Sequence, residues 1–463
     1  MNSPNILFLF SDQHNARCMS CAGHPEVRTP HLDRLAREGT RFANAYANNP
    51  ICTPSRVSFL SSLYPSTHGY YGLYGPEPAA PMTSLFRWFA EHGYRTGALG
   101  KLHTPRYWIE RDCQFVYDEF VEHPKYLDAV GLYESNDNRA FCGNRDGEPS
   151  QLPLEHSCEM VLAQQFRRFV RNEGEPKDRG DDAAPWLAWV SFARPHQPWT
   201  ASEPFASMYP PESMTLPPGV DDDARAHRDQ RPDEPRLRRL LSQYLGLVSQ
   251  VDHAIGQILA ELEARGELEN TIIVYTSDHG DYAGEHGRME KRGGISHGAI
   301  CRIPMIVRYP AAVRGDAVCD APVEAVDLFP TLCELAGLAS PNHAQGMSFA
   351  GPLRGDDQPR RDHALTENPY RKALATERWR YVANLDDQRD ELYDQREDPW
   401  ERRNLIDSPE HQDIRAQLAR TLLDRVARAR RPVTTINGGW HRHAYDRDGR
   451  IDLGRCGPVN AYW

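Results

Sequence analysis

Four short apolar runs of this sequence end in side chains able to do chemistry. Ile6 to Phe10 leads into Asp12 and Gln13. Thr96 to Leu99 leads into Lys101 and His103, Leu187 to Phe192 into His196, and Ile272 to Thr276 into Asp278 and His279. Taken singly, each is an ordinary turn or cap residue, because charged groups commonly follow strands. In an open α/β sheet, however, ligands bind beyond the carboxyl ends of the strands. Four such endings therefore point to one composite site. Asp12, Asp278 and His279 offer oxygen and nitrogen donors for a metal ion, with Gln13 as a candidate fourth. Lys101 and His103 alternate in an extended segment and are expected to point the same way. Cys52 stands in Cys52-Thr53-Pro54-Ser55-Arg56, directly before the helix-like run Val57-Ser58-Phe59-Leu60. A lone cysteine before a helix is more often a packed small side chain. Here Arg56 lies one helical turn further on and can face the same site.

The pattern Cys-x-Pro-Ser-Arg at Cys52 resembles the signature of type I sulfatases. Thr276-Ser277-Asp278-His279-Gly280 resembles a second specific block of that family. Gly100-Lys101-Leu102-His103, Pro195-His196-Gln197-Pro198, and Lys291 after Gly284-Glu285-His286-Gly287 fit moderately. Asp327 to Leu332, Glu391-Leu392-Tyr393-Asp394 and Asn404-Leu405 fit as well, so the resemblance runs from Asn5 to about Leu405.

The resemblance implies that Cys52 is oxidised after synthesis to formylglycine by a formylglycine-generating enzyme. This aldehyde works as its hydrate. One hydroxyl attacks sulfur, and deprotonation of the other breaks the carbon–oxygen bond to the sulfate and restores the aldehyde. The resemblance further implies one divalent metal on Asp12, Gln13, Cys52, Asp278 and His279. Arg56 would hold the formylglycine oxygens, and Lys101 and Lys291 would bind the sulfate. His103 would take the proton from the second hydroxyl, and His196 would protonate the leaving oxygen or hydrogen-bond to it.

The family commonly has a second Asp where Gln13 stands and Asn where His279 stands. The Gln13/His279 version resembles the branch with choline sulfatases and phosphonate monoester hydrolases. One fewer carboxylate and a nitrogen ligand shift the odds from Ca²⁺ toward Mn²⁺ without deciding between them. The expected activity is hydrolysis of a small anionic sulfate ester. The alternatives are a phosphonate monoester or phosphodiester hydrolase using the same site and, from another class, a non-catalytic metal- or anion-binding protein.

The elements that must position these residues are legible too. The four runs, with Met305 to Val307, read as strands buried on both faces of a mostly parallel sheet. Helix-like segments alternate with them: Thr29 to Gly39 with Pro30 in its first turn, Thr83 to Glu91, Leu154 to Arg171, Leu237 to Ala264 and Leu328 to Ala336. That alternation predicts a doubly wound α/β fold, and the resemblance implies its alkaline-phosphatase-like form. Residues 105–150 and 200–235 read as loop insertions, and Glu173 to Asp182 as an exposed linker. Residues 1–355 are expected to form the catalytic domain. Residues 356–463 are expected to form a smaller α+β unit with short alternating strands, a helix from about Pro409 to Arg430 and an aromatic, His-rich tail. Trp440, His441, His443, Tyr445 and Trp463 of that tail suggest a homo-oligomer interface. Tyr70, Tyr71 and Tyr74 are candidates for a leaving-group pocket, and His286 and His297 are lesser site candidates.

Bulk properties exclude several classes. A net charge of −11 on 463 residues disfavours nucleic-acid binding and requires a local basic site for an anionic substrate. No stretch is long and apolar enough to span a membrane. The run Ile6 to Phe10 lacks the basic flank and cleavage site of a signal segment, so the chain is expected in the cytoplasm. Ten scattered cysteines, including the lone pair Cys18-Met19-Ser20-Cys21, read as reduced thiols.

Overall fold

Along the first strand, Ile6, Phe8 and Phe10 face one way and Leu7 and Leu9 the other, and all five are fully buried. Such a strand needs a covering layer on each side. The computed structural model describes residues 3–73, 82–136, 146–173, 183–219, 232–291, 296–356, 361–385 and 389–429. In chain order the first strands are β1 (Asn5–Asp12), β2 (Thr40–Phe42), β3 (Ala45–Tyr46), β4 (Arg95–Gly100), β5 (Phe115–Asp118) and β6 (Trp186–Pro195). They are followed by β7 (Thr271–Ser277), β8 (Arg302–Ile303), β9 (Met305–Arg308), β10 (Ala317–Cys319) and β11 (Val323–Glu324). Eight of these form one sheet in the order β10-β2-β9-β7-β1-β6-β4-β5. Strand β9 runs against both of its neighbours, and every other adjacent pair is parallel. A short second sheet has the order β11-β3-β8.

The covering layers are helical. Phe8 and Phe10 pack with Phe59 and Leu60 of the Cys52–Ser61 helix, with Phe86 and Phe89, and with Phe329. Leu7 and Leu9 pack with Leu32, with Leu162 and Phe166, and with Val251 and Ile255 of the long Glu234–Ala264 helix. This is the doubly wound arrangement expected, with β1 at its centre. Each predicted strand is present, extended by a residue or more. The helix after Thr29 is also present, but the Thr29 side chain makes no capping hydrogen bond. Asp252, from the long helix, accepts from the N–H groups of His31 (3.1 Å) and Leu32 (2.8 Å) instead.

Residues 105–150 are not a loop insertion throughout. They hold a helix at Arg106–Asp112, the sheet-edge strand β5 and a helix at Glu119–Ala129. The second helix exposes Phe120 and Val121 and carries Pro124 inside it, so its apolar residues do not trace one buried stripe. Between 200 and 219 the one regular feature among the described residues is a single turn at Pro211–Ser213.

Beyond residue 360, β12 (His363–Glu367), β13 (Arg371–Thr376), β14 (Trp379–Asn384) and β15 (Glu391–Asp394) form a separate antiparallel sheet in sequence order. The helix Gln412–Ala429 packs on it through Leu418 and Leu422. Its Arg425 reaches across to buried Glu324 (2.7 Å), which also pairs with Arg361 and accepts from the Tyr64 hydroxyl. The aromatic tail, including Trp440, His441, His443, Tyr445 and Trp463, lies outside the described residues, as do Tyr74 and all but the first residue of the Glu173–Asp182 linker. Among the described residues no helix is long and apolar enough to cross a membrane.

One stability prediction arises from this packing. His68 is buried under the Cys52–Ser61 helix. Its Nδ1 accepts from the Tyr70 N–H (3.1 Å) and its Nε2 meets Ser58 Oγ (3.1 Å). Burial depresses its pKa to about 3. The unfolded chain takes up this proton near pH 6.5 and the folded chain does not, so the contribution is complete above that pH and is lost as pH falls toward 3. Between pH 7 and pH 5 this group costs about 2 kcal/mol of stability. Denaturant unfolding should show that loss in the wild type and less of it in His68→Gln. Equal pH slopes in both proteins would contradict the assignment.

Candidate active site

The sequence brings its reactive groups together where β1, β4, β6 and β7 end. The register of β1 against β6 shifts between Ser11 and Asp12, which re-aims Asp12 off the regular pleat. Cys52 is the first residue of a ten-residue helix in which every residue is buried. The partial positive end of that helix therefore faces the cluster. Ligand atoms of Asp12, Cys52, Asp278 and His279 all lie within 4.8 Å of one another. Cys52 Sγ is 3.4 Å from His279 Nε2. His279 Nδ1 lies 2.9 Å from the Gly280 carbonyl. That contact places a proton on Nδ1, and Nε2 faces Cys52.

Arg56 spans the base of the site. Its Nη2 donates to Asp12 Oδ2 (2.7 Å) and its Nε to Asp278 Oδ2 (3.0 Å). Its Nη1 donates to the Lys101 carbonyl (2.7 Å) and to Ser191 Oγ (2.8 Å). Lys101 Nζ sits 2.8 Å from Asp12 Oδ2. Burial works against the Asp12 charge, yet the cations of Lys101, Arg56 and Lys291 outweigh it and hold that carboxyl well below the usual range. Burial and Asp12 push the Cys52 thiol up, but Lys291, Lys101 and His279 prevail and leave it well below its ordinary range. This is the local basic site that an overall anionic chain needs for an anionic substrate.

A divalent cation fits these residues. Asp12 Oδ1 is buried without a hydrogen-bond partner, an orphan of the kind that calls for an ion or water. The oxygen, sulfur and nitrogen donors around it are of types that suit a first-row divalent metal.

The other expected residues divide. Gln13, at φ 66°, has its backbone N–H on Asp278 Oδ1 (3.0 Å) and its side-chain Oε1 on Lys291 Nζ (2.8 Å). Lys291 is thus placed beside the cluster. Burial, followed by the charges of Lys101 and Lys291, drives the His196 pKa well below its ordinary value. His196 Nδ1 lies against the Gln197 carbonyl (2.7 Å). His103 is exposed, its ring stacked on Phe120 at 5.5 Å and 24°, whereas Lys101 is buried against Asp12. The expected shared direction fails because β4 ends at Gly100 and residues 101–103 are no longer in strand conformation. A side chain at position 100 would meet the Ser191 carbonyl at 2.0 Å.

His286 and His297 lie 4.4 Å apart, ring to ring. His286 meets the Trp400 carbonyl and His297 caps the short helix Gly298–Cys301, so both serve packing against the C-terminal segment. Tyr70 is buried in the core, and Tyr71 lies under Lys372, whose Nζ is 5.5 Å from the ring centre.

Three residues escaped the sequence reading. Asp281 Oδ2 accepts from Gln13 Nε2 (2.6 Å), Ser191 holds Arg56, and Ser55 Oγ donates to the Asp278 carbonyl (2.6 Å). Asp281 stands directly after the Asp278-His279-Gly280 run, which was the available signal. Nothing in the sequence marks Ser191.

Similarity to known proteins extends over most of the chain. A family model described as Sulfatase matches residues 4–338, and one described as N-sulphoglucosamine sulphohydrolase, C-terminal, matches residues 284–428. An ulvan-active sulfatase of Formosa agariphila is 29% identical over 455 residues, 92% of this chain and 81% of that protein. A choline-sulfatase of Rhizobium meliloti is 26% identical over 440 residues, 88% of this chain and 83% of that protein. The phosphonate monoester hydrolase of Agrobacterium radiobacter superposes with a TM-score of 0.79 at 23% identity, covering 92% of this chain and 96% of that one. At that identity the likeness speaks for the fold. With β1, β4, β6 and β7 converging on Cys52 and the family model spanning both sides of it, the chain belongs to the sulfatase family, hydrolases of sulfuric esters on an alkaline-phosphatase-like fold.

Proposed function

We propose that this protein hydrolyses a sulfate ester with Cys52 converted to formylglycine and with one divalent metal, Ca²⁺ or Mn²⁺, held by Asp12, Cys52, Asp278 and His279 with Gln13. The observation that carries this reading is the convergence of ligand atoms from Asp12, Cys52, Asp278 and His279 within 4.8 Å of one another, with one oxygen of buried Asp12 left without a hydrogen-bond partner. The modified residue supplies a pair of geminal hydroxyls, one to attack sulfur and one whose deprotonation releases sulfate. A metal bound by these residues would supply Lewis acidity and lower the pKa of the attacking hydroxyl.

The chain's own residues do the rest. Lys101 and Lys291 bind the sulfate oxygens and offset their charge. Arg56 fixes Asp12 and Asp278 and offsets their charge where burial keeps both carboxylates from bulk solvent. His196 is neutral with both lysines beside it and no substrate. A sulfate between the lysines offsets their charge and favours protonation of His196, which then donates to the leaving oxygen. His103, open to solvent, accepts the released proton and passes it on. The catalytic unit ends near residue 355, and the chain acts as a cytoplasmic homo-oligomer. Fractionation and light scattering check those last two points.

A second reading keeps the site and changes the substrate to a phosphonate monoester or phosphodiester. The Gln13/His279 pair favours it, because one carboxylate fewer leaves a less anionic metal site. Turnover of a nitrophenyl sulfate and a nitrophenyl phosphonate monoester by the same preparation separates the two. The sulfatase reading expects the larger kcat/KM on the sulfate, and a larger value on the phosphonate would replace it. Exhaustive chelation is expected to abolish either activity, and adding back Mn²⁺ or Ca²⁺ to restore it. Full activity in chelated, metal-free protein would contradict the metal assignment.

A further inference from the structure

We infer that Asp281 is a positioning residue that orients the Gln13 amide and, through it, Lys291. This inference rests on the metal site proposed above. An amide side chain has one acceptor and one donor end that are nearly equal in shape, and only its partners decide which way it points. Gln13 sits between two partners of opposite kind. Its Nε2 faces Asp281 Oδ2 at 2.6 Å, and its Oε1 receives the Lys291 ammonium at 2.8 Å. A carboxylate can only accept and an ammonium can only donate, so one orientation satisfies both and the flipped one satisfies neither.

The backbone leaves Gln13 no other way to respond. Residue 13 is held at φ 66°, a conformation rare for a non-glycine residue. Its N–H is fixed by Asp278 Oδ1 at 3.0 Å and its carbonyl by the Tyr244 hydroxyl at 2.9 Å. Asp281 is fixed as firmly. It is fully buried, and its Oδ1 accepts the N–H groups of Ala283 (2.7 Å) and Glu290 (3.0 Å). The bond to Glu290, the residue before Lys291, ties the carboxylate to the loop that carries that lysine. The loop needs such support: Ala283, His286 and Glu290 all have positive φ, a strained backbone that persists only when its surroundings enforce it. Asp281 therefore makes the oxygen, not the nitrogen, of Gln13 the end that faces the cation-binding side. The same carboxylate explains how a glutamine serves where the family commonly has a carboxylate. The charge stands one residue further out and acts through the amide.

A swap of the two groups tests this. Asp281→Asn keeps the shape and the acceptor for both backbone N–H groups but turns a donor toward Gln13 Nε2. Relief requires Gln13 to flip, which aims its NH₂ at Lys291. Gln13→Glu alone sets two carboxylates against each other. The double variant Gln13→Glu/Asp281→Asn restores complementarity on both sides at unchanged net charge. Two readouts are taken on the full chain. Thermal unfolding of chelator-treated protein is expected to lose about 2–4 °C of Tm in each single variant and to recover most of it in the double variant. Calorimetric titration with Mn²⁺ is expected to show affinity about 10-fold or more weaker in Asp281→Asn, where only the partner of Gln13 is changed.

Additive Tm losses in the double variant, or Mn²⁺ affinity of Asp281→Asn equal to wild type, would overturn the inference. If wild type bound no Mn²⁺ while the Tm losses still cancelled, the pairing of Asp281 with Gln13 would stand and the metal site would be the part that failed.

Discussion

Replacing Cys52 with alanine is expected to lower sulfate-ester turnover by about 10⁴-fold or more, the size of effect that follows loss of a nucleophile acting within a cooperative site. The fold should survive. Cys52 begins a helix buried on every side, and alanine removes one small atom without stranding a polar group. The stability change should stay near 1 kcal/mol, readable in denaturant unfolding. Cys52→Ser is the sharper variant. A serine hydroxyl held among Lys101, Lys291 and Arg56 can attack once, but its sulfate ester has no second hydroxyl to expel the group. It should release about one equivalent of leaving group per site and then stall. Sustained turnover by Cys52→Ser would show that the second hydroxyl is not needed and would remove the reason for oxidising the cysteine.

The second large effect is on stability. Arg56 is fully buried, pairs with two fully buried carboxylates, and also holds the Lys101 carbonyl and Ser191. Its guanidinium carbon lies 4.8 Å from the centre of the Phe10 ring. Arg56→Ala removes the cation shared by two fully buried carboxylates, leaving Asp12 with Lys101 and Asp278 with the N–H groups of Gln13 and His279. Breaking a buried pair in this way costs about 3–5 kcal/mol. Arg56→Lys should recover only part of that. An ammonium is a point charge and cannot bridge Asp12, Asp278, a carbonyl and a hydroxyl with one planar fork. Guanidinium unfolding of chelator-treated protein measures both variants. A loss below 1 kcal/mol in Arg56→Ala would mean that Asp12 and Asp278 are not both charged in the folded state.

How much of this was legible in the sequence depended on the kind of signal. The buried strands were clear because β1, β4, β6 and β7 are apolar runs bounded by polar residues. Their ends named Asp12, Lys101, His196, Asp278 and His279 before any geometry. The Cys52–Ser61 helix was legible from its motif rather than its periodicity: it is buried all round, so no apolar stripe exists to find. The edge strand β5 and the helix after it were missed for the opposite reason, since their exposed Val116, Phe120 and Val121 blur the pattern. His103 went astray because β4 ends at Gly100, so the strand alternation on which its direction was argued does not reach residues 101–103. Asp281 and Ser191 were missed because each acts through a partner, Gln13 in one case and Arg56 in the other. Such pairs join residues 268 and 135 positions apart, which one sequence does not reveal.

The central claim is the chemical state of residue 52. The direct measurement is the intact mass of the peptide containing Cys52, prepared from fully active protein and blocked against artificial oxidation. The account predicts a mass about 18 Da below that of the thiol form, as expected when a thiol becomes an aldehyde, with trapping by a hydrazide reagent. An unmodified Cys52 thiol in fully active protein would contradict it and leave the thiolate itself, lowered by Lys291, Lys101 and His279, as the attacking group.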